Sequence, residues 1–131
     1  MYKWSKPPSD IGPWYIEYTK NSCAKHDGTI LVVDDRGKLL GFATLLANCW
    51  EDGNDEEMAH SWAFVFDLAV TLSARGQGVG KALLTACENI ARDKGRKTLR
   101  LSVFAENENA IRAYQNFGFT SYRHSMEKDL A

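Results

Sequence analysis

The sequence predicts a single α/β (α+β) domain in which a mixed central sheet is flanked by helices, and three patterns predict it. An apolar run at 61–70 ends in a glycine-rich turn that opens straight into an amphipathic segment at about 78–94. Leu99, Leu101 and Val103 then alternate with Arg100, Ser102 and Phe104, so strand, helix and strand make one right-handed crossover unit. Upstream, residues 29–34 and 38–47 flank Asp35-Arg36-Gly37, as an antiparallel pair joined by a tight turn would.

Each element has its own signal. Residues 1–27 read as an irregular or short helical lead-in that contains Pro7, Pro8 and Pro13; 13–25 suit one helix, although Trp14, Ile16 and Tyr18 would equally suit a strand. The core is expected over 28–130, within one domain covering 1–131. Thr29 to Asp34 is the first strand and 38–47 its partner, after which Trp50 to Glu57 reads as a hairpin connection. Ser61 to Val70 is almost wholly apolar, as a central strand covered on both faces would be. The helix over 78–94 turns Val79, Leu83, Ala86, Cys87, Ile90 and Ala91 to one side and Lys81, Thr85, Asn89 and Arg92 to the other, and Gly95 ends it. Asn107 suits an N-cap; Ala110, Ile111, Tyr114 and Phe117 share the next helical face, and Gly118 suits the C′ stop. A last strand is expected from about Ser121 to Lys128.

Composition excludes several classes. With 131 residues, 44% of them apolar, one compact domain has enough core to fold. A net charge of −1 gives no general attraction to nucleic acid, and the four tryptophans and five tyrosines do not interleave with a basic stripe. No segment resembles a signal peptide, and no apolar run approaches the roughly eighteen residues of a membrane helix, so a soluble, cytoplasmic protein with no membrane partner is expected. Cys23, Cys49 and Cys87 lack Cys-x-x-Cys spacing, and His26, His60 and His124 lack metal-ligand spacing, so neither disulfides nor a metal site is suggested. Charge is unevenly placed. Between Lys38 and Arg75 there are six acids and no Lys or Arg, whereas Arg75 to Arg100 holds seven basic residues against Glu88 and Asp93. The basic half coincides with the glycine turn; the acidic half reads first as a solvated loop and second as a surface facing a cationic acceptor.

The glycine turn carries the chemistry. Glycines at 76, 78 and 80 let a ligand approach the backbone, and the helix that follows offers unpaired N–H groups and the positive end of its dipole. A Walker A loop is excluded, because Gly80-Lys81 is followed by Ala82 and the residue five before Gly80 is Arg75. A dinucleotide fingerprint is excluded because its sixth position, counted from Gly76, is Lys81. Arg75-Gly-Gln-Gly78-Val-Gly80 instead resembles the Arg/Gln-x-x-Gly-x-Gly/Ala signature of the GNAT superfamily of N-acetyltransferases. Asn107-x-x-Ala110-x-x-x-Tyr114-x-x-x-Gly118-Phe119 resembles a second pattern of the same superfamily, in the right order and about 30 residues on. A structural strand-to-helix turn with no ligand is the alternative that the second motif weighs against.

The resemblance implies a GNAT-like, strongly twisted mixed sheet and acetyl-CoA as acyl donor. Arg75, Gly76, Gln77, Gly78, Val79, Gly80 and Lys81 would take its pyrophosphate, and the edge of Leu68, Ala69 and Val70, splayed by a bulge in the family, would pair with the pantetheine amides. Asn107 matches a position that contacts the cofactor arm and is equally a plain N-cap. Family members usually begin with a strand and two helices that wall the acceptor site, so the N-terminal region here looks abbreviated. That leaves a more open pocket, a wall supplied by a partner subunit in a homodimer, or an incomplete domain.

Acetyl transfer to an amine needs a held thioester, an uncharged nitrogen and a proton for the departing thiolate. Tyr114 is the expected general acid, since a phenol of pKa ~10 can protonate a thiolate whose thiol has pKa ~8.5. The base is less defined. Some family members carry Glu on the fifth strand, where this chain has Ser102; Asp67 is the best remaining carboxylate, with His60 and Glu51 as outside candidates and a hydrogen-bonded structural role as the alternative. Direct attack needs no covalent enzyme intermediate, so Cys87 is not expected to act as a nucleophile. The expected function is N-acetylation of a primary amine on a small molecule or peptide. A non-catalytic acyl-CoA-binding or regulatory module, or an interaction domain whose glycine turn is structural, are the alternatives.

Overall fold

The computed structural model describes residues 8–50 and 61–131; the acidic run from Glu51 to Glu57 and the outside candidates Glu51 and His60 lie outside these. In chain order the elements are α1 (Pro8–His26), β1 (Gly28–Asp35), β2 (Lys38–Cys49), β3 (Trp62–Val70), a 3₁₀ turn (Leu72–Ala74), α2 (Val79–Asp93), β4 (Leu99–Leu101) and α3 (Glu108–Phe117). The strands form one mixed sheet in the order β1-β2-β3-β4, antiparallel at the first two contacts and parallel between β3 and β4. The parallel pair encloses α2, as the crossover pattern requires.

Within the expected lead-in of 1–27, the described residues form a 19-residue helix, Pro8–His26, which is neither irregular nor short. Pro8 stands at its first position, where no donor is needed. Trp14 and Tyr18, which would also suit a strand, stack on each other at 5.4 Å as i,i+4 neighbours. Tyr15 and Tyr18 rest on Phe66 of β3, fixing α1 to the sheet.

β1 and β2 are joined by a turn in which Arg36 and Gly37 have φ of 53° and 86°, and the Gly37 N–H donates to Asp34 Oδ2 at 3.2 Å. On β2, Ala43 and Leu45 are fully buried and belong to the core formed with Val79, Leu83, Leu84, Cys87 and Ala91 of α2. Gly41 shares that parity. A Cβ there would lie 2.8 Å from the Ala69 carbonyl oxygen and 3.0 Å from Val79 Cγ1, so its absence allows α2 to close on the sheet.

β3 changes parity at a bulge. Its register against β2 runs Thr44↔Asp67 and then Leu45↔Val65, which leaves Phe66 unmatched. Before the bulge, Ala63 and Val65 face the α2 core; after it, Leu68 and Val70 do. Phe66 and Asp67 both turn to the α1 side as a result. On the opposite edge the ladder to β4 ends at Val65↔Leu101, so Phe66 to Val70 present an edge that β4 does not cover.

The expected final strand at 121–128 is not formed. β4 is only three residues long, and the chain from Phe119 onward makes no ladder with it. Tyr122 meets β4 through its ring against the Arg100 guanidinium rather than through backbone hydrogen bonds.

Candidate functional site

The site begins at the open edge of β3 and ends on α3. A cleft of about 390 Å³ is lined by Leu68 and Val70, by Ala74 to Gly76, by Gly78 to Lys81 and by one face of α3. Its walls are largely apolar, but its mouth is the N-terminus of α2. Gly78 caps that helix at φ 84° and, having no side chain, gives no capping hydrogen bond; Gly76 also has positive φ, 79°. The first bond into the helix runs from Ala82 N–H to the Gly78 carbonyl at 3.0 Å, so the N–H groups of Val79, Gly80 and Lys81 precede the ladder. No acidic side chain sits in that first turn, and Lys81 is exposed there. Backbone donors, the helix dipole and a lysine thus converge where an anion would dock.

Several expected donor-site residues are brought together: Leu68, Val70, Arg75, Gly76, Gly78, Val79, Gly80, Lys81 and Tyr114 all line the cleft. Three others do not. The Gln77 amide donates to the Ser73 carbonyl at 3.2 Å, which ties the turn to itself. Ala69, paired with Phe42, shares the open edge by its backbone. Asn107 caps α3, its Oδ1 accepting from Ala110 N–H at 3.3 Å. Arg75 reaches back, its Nε donating to the Val70 carbonyl at 3.5 Å, which braces the turn against the end of β3.

The cleft also has walls that the sequence alone does not assign: Ala74 of the 3₁₀ turn, Leu84 of α2, and Ala110, Ala113, Asn116 and Phe117 of α3. Ala110 and Phe117 share a helical face with Tyr114, and that spacing places them beside the expected general acid. Tyr114 is 8% exposed, edge-on to Phe119 at 6.0 Å. Burial pushes its phenol above the ordinary value of 10.0, so it holds its proton throughout the neutral range.

Asp67 is placed elsewhere. The bulge turns it to the α1 face, where the hydroxyls of Tyr15 and Thr44 donate to it while its Oδ2 is buried without a partner. Desolvation raises its pKa above 3.8 and outweighs those two hydrogen bonds, which lower it. The structure therefore brings Tyr114 to the glycine turn but does not put Asp67 in the same cleft wall.

That placement gives a pH test. A carboxyl whose folded pKa is raised contributes stability that is full below 3.8 and is lost as pH rises through the folded value. Asp67→Asn removes this loss, so urea melts should show the variant gaining on the parent as pH rises from 4 to 8. A constant difference across that range would refute the assignment.

Cys87 is fully buried in the core, as expected, and burial pushes its thiol up to about 11, far from thiolate reactivity at neutral pH. Cys23 and Cys49 are also free thiols, and no group of three or more His, Cys, Asp or Glu among the described residues could hold a metal ion. No described helix is long and apolar enough to cross a membrane.

Comparison with known proteins agrees with this geometry. The Acetyltransferase (GNAT) family model matches residues 1–119. The mycothiol acetyltransferase of Actinosynnema mirum is 32% identical over 104 residues, 79% of this chain and 32% of that protein. The uncharacterized N-acetyltransferase YdgE of Bacillus subtilis is 29% identical over 99 residues, 76% of this chain and 59% of its own length. The chain thus spans between about a third and three fifths of the length of these curated relatives. Among solved structures, a putative acetyl transferase from Pyrococcus furiosus superposes with a TM-score of 0.77 at 23% identity, covering 99% of this chain and 84% of that one. The enzyme AAC(6')-Iy, solved with the bisubstrate analog CoA-S-monomethyl-acetylneamine, gives 0.73 at 22% identity, with 98% and 84% coverage. With the family model matching most of the chain, and both motifs on the elements that build the cleft, this protein belongs to the GNAT family of acetyltransferases.

Proposed function

We propose that this chain is an acetyl-CoA-dependent N-acetyltransferase that passes the acetyl group directly to a primary amine of a small molecule or peptide. The observation that carries the reading is the uncapped N-terminus of α2 opening onto an apolar cleft with a buried tyrosine in its wall. The residues fit the donor's two halves. Val79 to Lys81 offer N–H groups and a cation to a pyrophosphate, and Leu68 to Val70 offer an uncovered strand edge to an amide-bearing arm. Acetyl-CoA supplies the activated acyl group as a thioester. Tyr114 holds a proton at Oη for the leaving thiolate. Asp67 remains the proposed base, acting on the incoming ammonium from the α1 side. A cytoplasmic setting, where acetyl-CoA is abundant, suits this reading. So does a homodimer in which a second copy covers the exposed Trp14, Ile16 and Tyr18 of α1, which sedimentation equilibrium would test.

Acetyl-CoA at a hundredfold excess over its Kd should stabilise the fold by about 2.7 kcal/mol and raise Tm by several degrees. A flat melting temperature up to millimolar acetyl-CoA would sink the donor assignment. The second reading, a non-catalytic acyl-CoA-binding or regulatory module, is favoured by the position of Asp67 outside the cleft wall. It predicts the same thermal shift with no thiol release across a broad panel of amines.

A further inference from the structure

A second and larger cleft, about 1180 Å³, lies between β4 and residues 119–125, and it meets the first at Tyr114 and Phe117, which line both. Among the described residues its charge is one-sided: Arg92, Arg96, Lys97, Arg100 and Arg123 line it, and the one acid among them, Glu88, is paired with Arg92.

Arg100 is the best-held of these cations. Its guanidinium lies over the Trp62 ring at 4.0 Å and over the Tyr122 ring at 4.6 Å, and the side chain is half-buried. Among the described residues no carboxylate, carbonyl or hydroxyl engages its N–H groups. Rings against its π surface leave those donors to partners in the guanidinium plane, the geometry a planar carboxylate satisfies with two parallel hydrogen bonds. Arg96, four residues earlier in the loop before β4, donates to Ser61 Oγ and keeps its Nε buried without a partner. The unused donors of Arg100 therefore belong to a cleft whose wall includes the proposed proton donor.

We propose that this cleft is the acceptor site and that it selects an amine that also bears a carboxylate, as an amino acid does, with Arg100 taking the carboxylate. The proposal rests on the donor reading above, because it uses Tyr114 as the junction of the two sites; Asp67 lines neither cleft, but Arg100, paired with Phe64, lies on the same α1 face of the sheet from which Asp67 is proposed to act. A carboxylate is favoured over a tetrahedral phosphate by the ring-bounded plane of the guanidinium. It also explains the paired rings: they hold a cation rigidly without neutralising it.

The test is thiol release from acetyl-CoA with L-lysine against cadaverine, L-ornithine against putrescine, and O-phosphoethanolamine as the phosphate arm, alongside the acetyl-CoA thermal shift. Hydrogen bonds to charged groups suggest a preference in kcat/KM of roughly ten- to hundredfold for each amino acid over its decarboxylated partner. Arg100→Met should bring that ratio near one while leaving the acetyl-CoA thermal shift intact, and Arg100→Lys, which keeps the charge but not the fork, should retain only part of it. Equal rates within each pair, a preference for O-phosphoethanolamine, or a ratio that survives Arg100→Met overturns the acceptor class while leaving the donor site standing. Absence of the acetyl-CoA shift in the parent overturns the donor reading instead.

Discussion

Replacing Tyr114 with phenylalanine should lower kcat by about 10²- to 10⁴-fold while leaving the KM for acetyl-CoA within a few-fold of the parent, because general acid catalysis supplies that order of acceleration and the ring is retained. The packing argument limits the side effects. The Tyr114 ring meets Phe119 edge-on and lines the cleft beside Ala110 and Phe117, contacts that phenylalanine reproduces. Stability should therefore change by no more than about 1–2 kcal/mol, the usual effect of losing one buried hydroxyl. The pH profile adds a second readout. Burial holds the phenol above 10.0, so in the parent a high-pH limb assigned to this group falls at the alkaline end of the range. The variant should lack that limb. Equal kcat in variant and parent would remove Tyr114 from the acid role and leave it as a wall residue.

The features legible in the sequence were those fixed by local chemistry. Alternating or uniformly apolar runs placed β1, β2 and β3, and the inward faces of α2 and α3 read off at helical spacing are those that are buried or half-buried. Gly118 adopts the left-handed conformation that a C′ stop implies and closes α3, and Gly78, read as a point of close ligand approach, is also left-handed and opens α2. What the sequence hid depends on register. A bulge at Phe66 leaves no compositional mark, yet it alone turns Asp67 to the α1 face and puts Leu68 and Val70 in the cleft. The proline-bearing lead-in hid a 19-residue helix because Trp14, Ile16 and Tyr18 match two periods at once, and only Phe66 across the sheet decides between them. The final strand failed for the converse reason: the alternation at 121–128 is there, but β4 is too short to provide a matching edge. In the sequence Arg100 is only an alternating strand residue at the end of a basic run, because a single arginine in a strand signals nothing more until Trp62 and Tyr122 are seen against it.

Gly78→Asp should separate folding from donor binding more sharply than any change in the core. Aspartate tolerates positive φ better than most residues, so forcing it into φ 84° costs about 1–2 kcal/mol of stability, part of which its charge offsets at the helix N-terminus. A Cβ meets nothing within 4 Å there, so no steric term is added. Donor binding is another matter, because the new carboxylate stands where the pyrophosphate is proposed to dock. Two like charges ~5 Å apart at an effective dielectric of ~20 repel by about 3 kcal/mol, and a pyrophosphate carries more than one. The acetyl-CoA Kd measured by calorimetric titration should therefore rise by roughly a hundredfold or more. Gly78→Ala supplies the control, since it carries at least as much backbone strain without the charge, and its affinity should fall by only a few-fold. Equal losses in the two variants would mean that backbone conformation alone governs the site and that no anion sits at the start of α2. A loss confined to Gly78→Asp, with both variants folded, would place the phosphates at the N-terminus of α2, which Gly78 leaves without a side-chain cap.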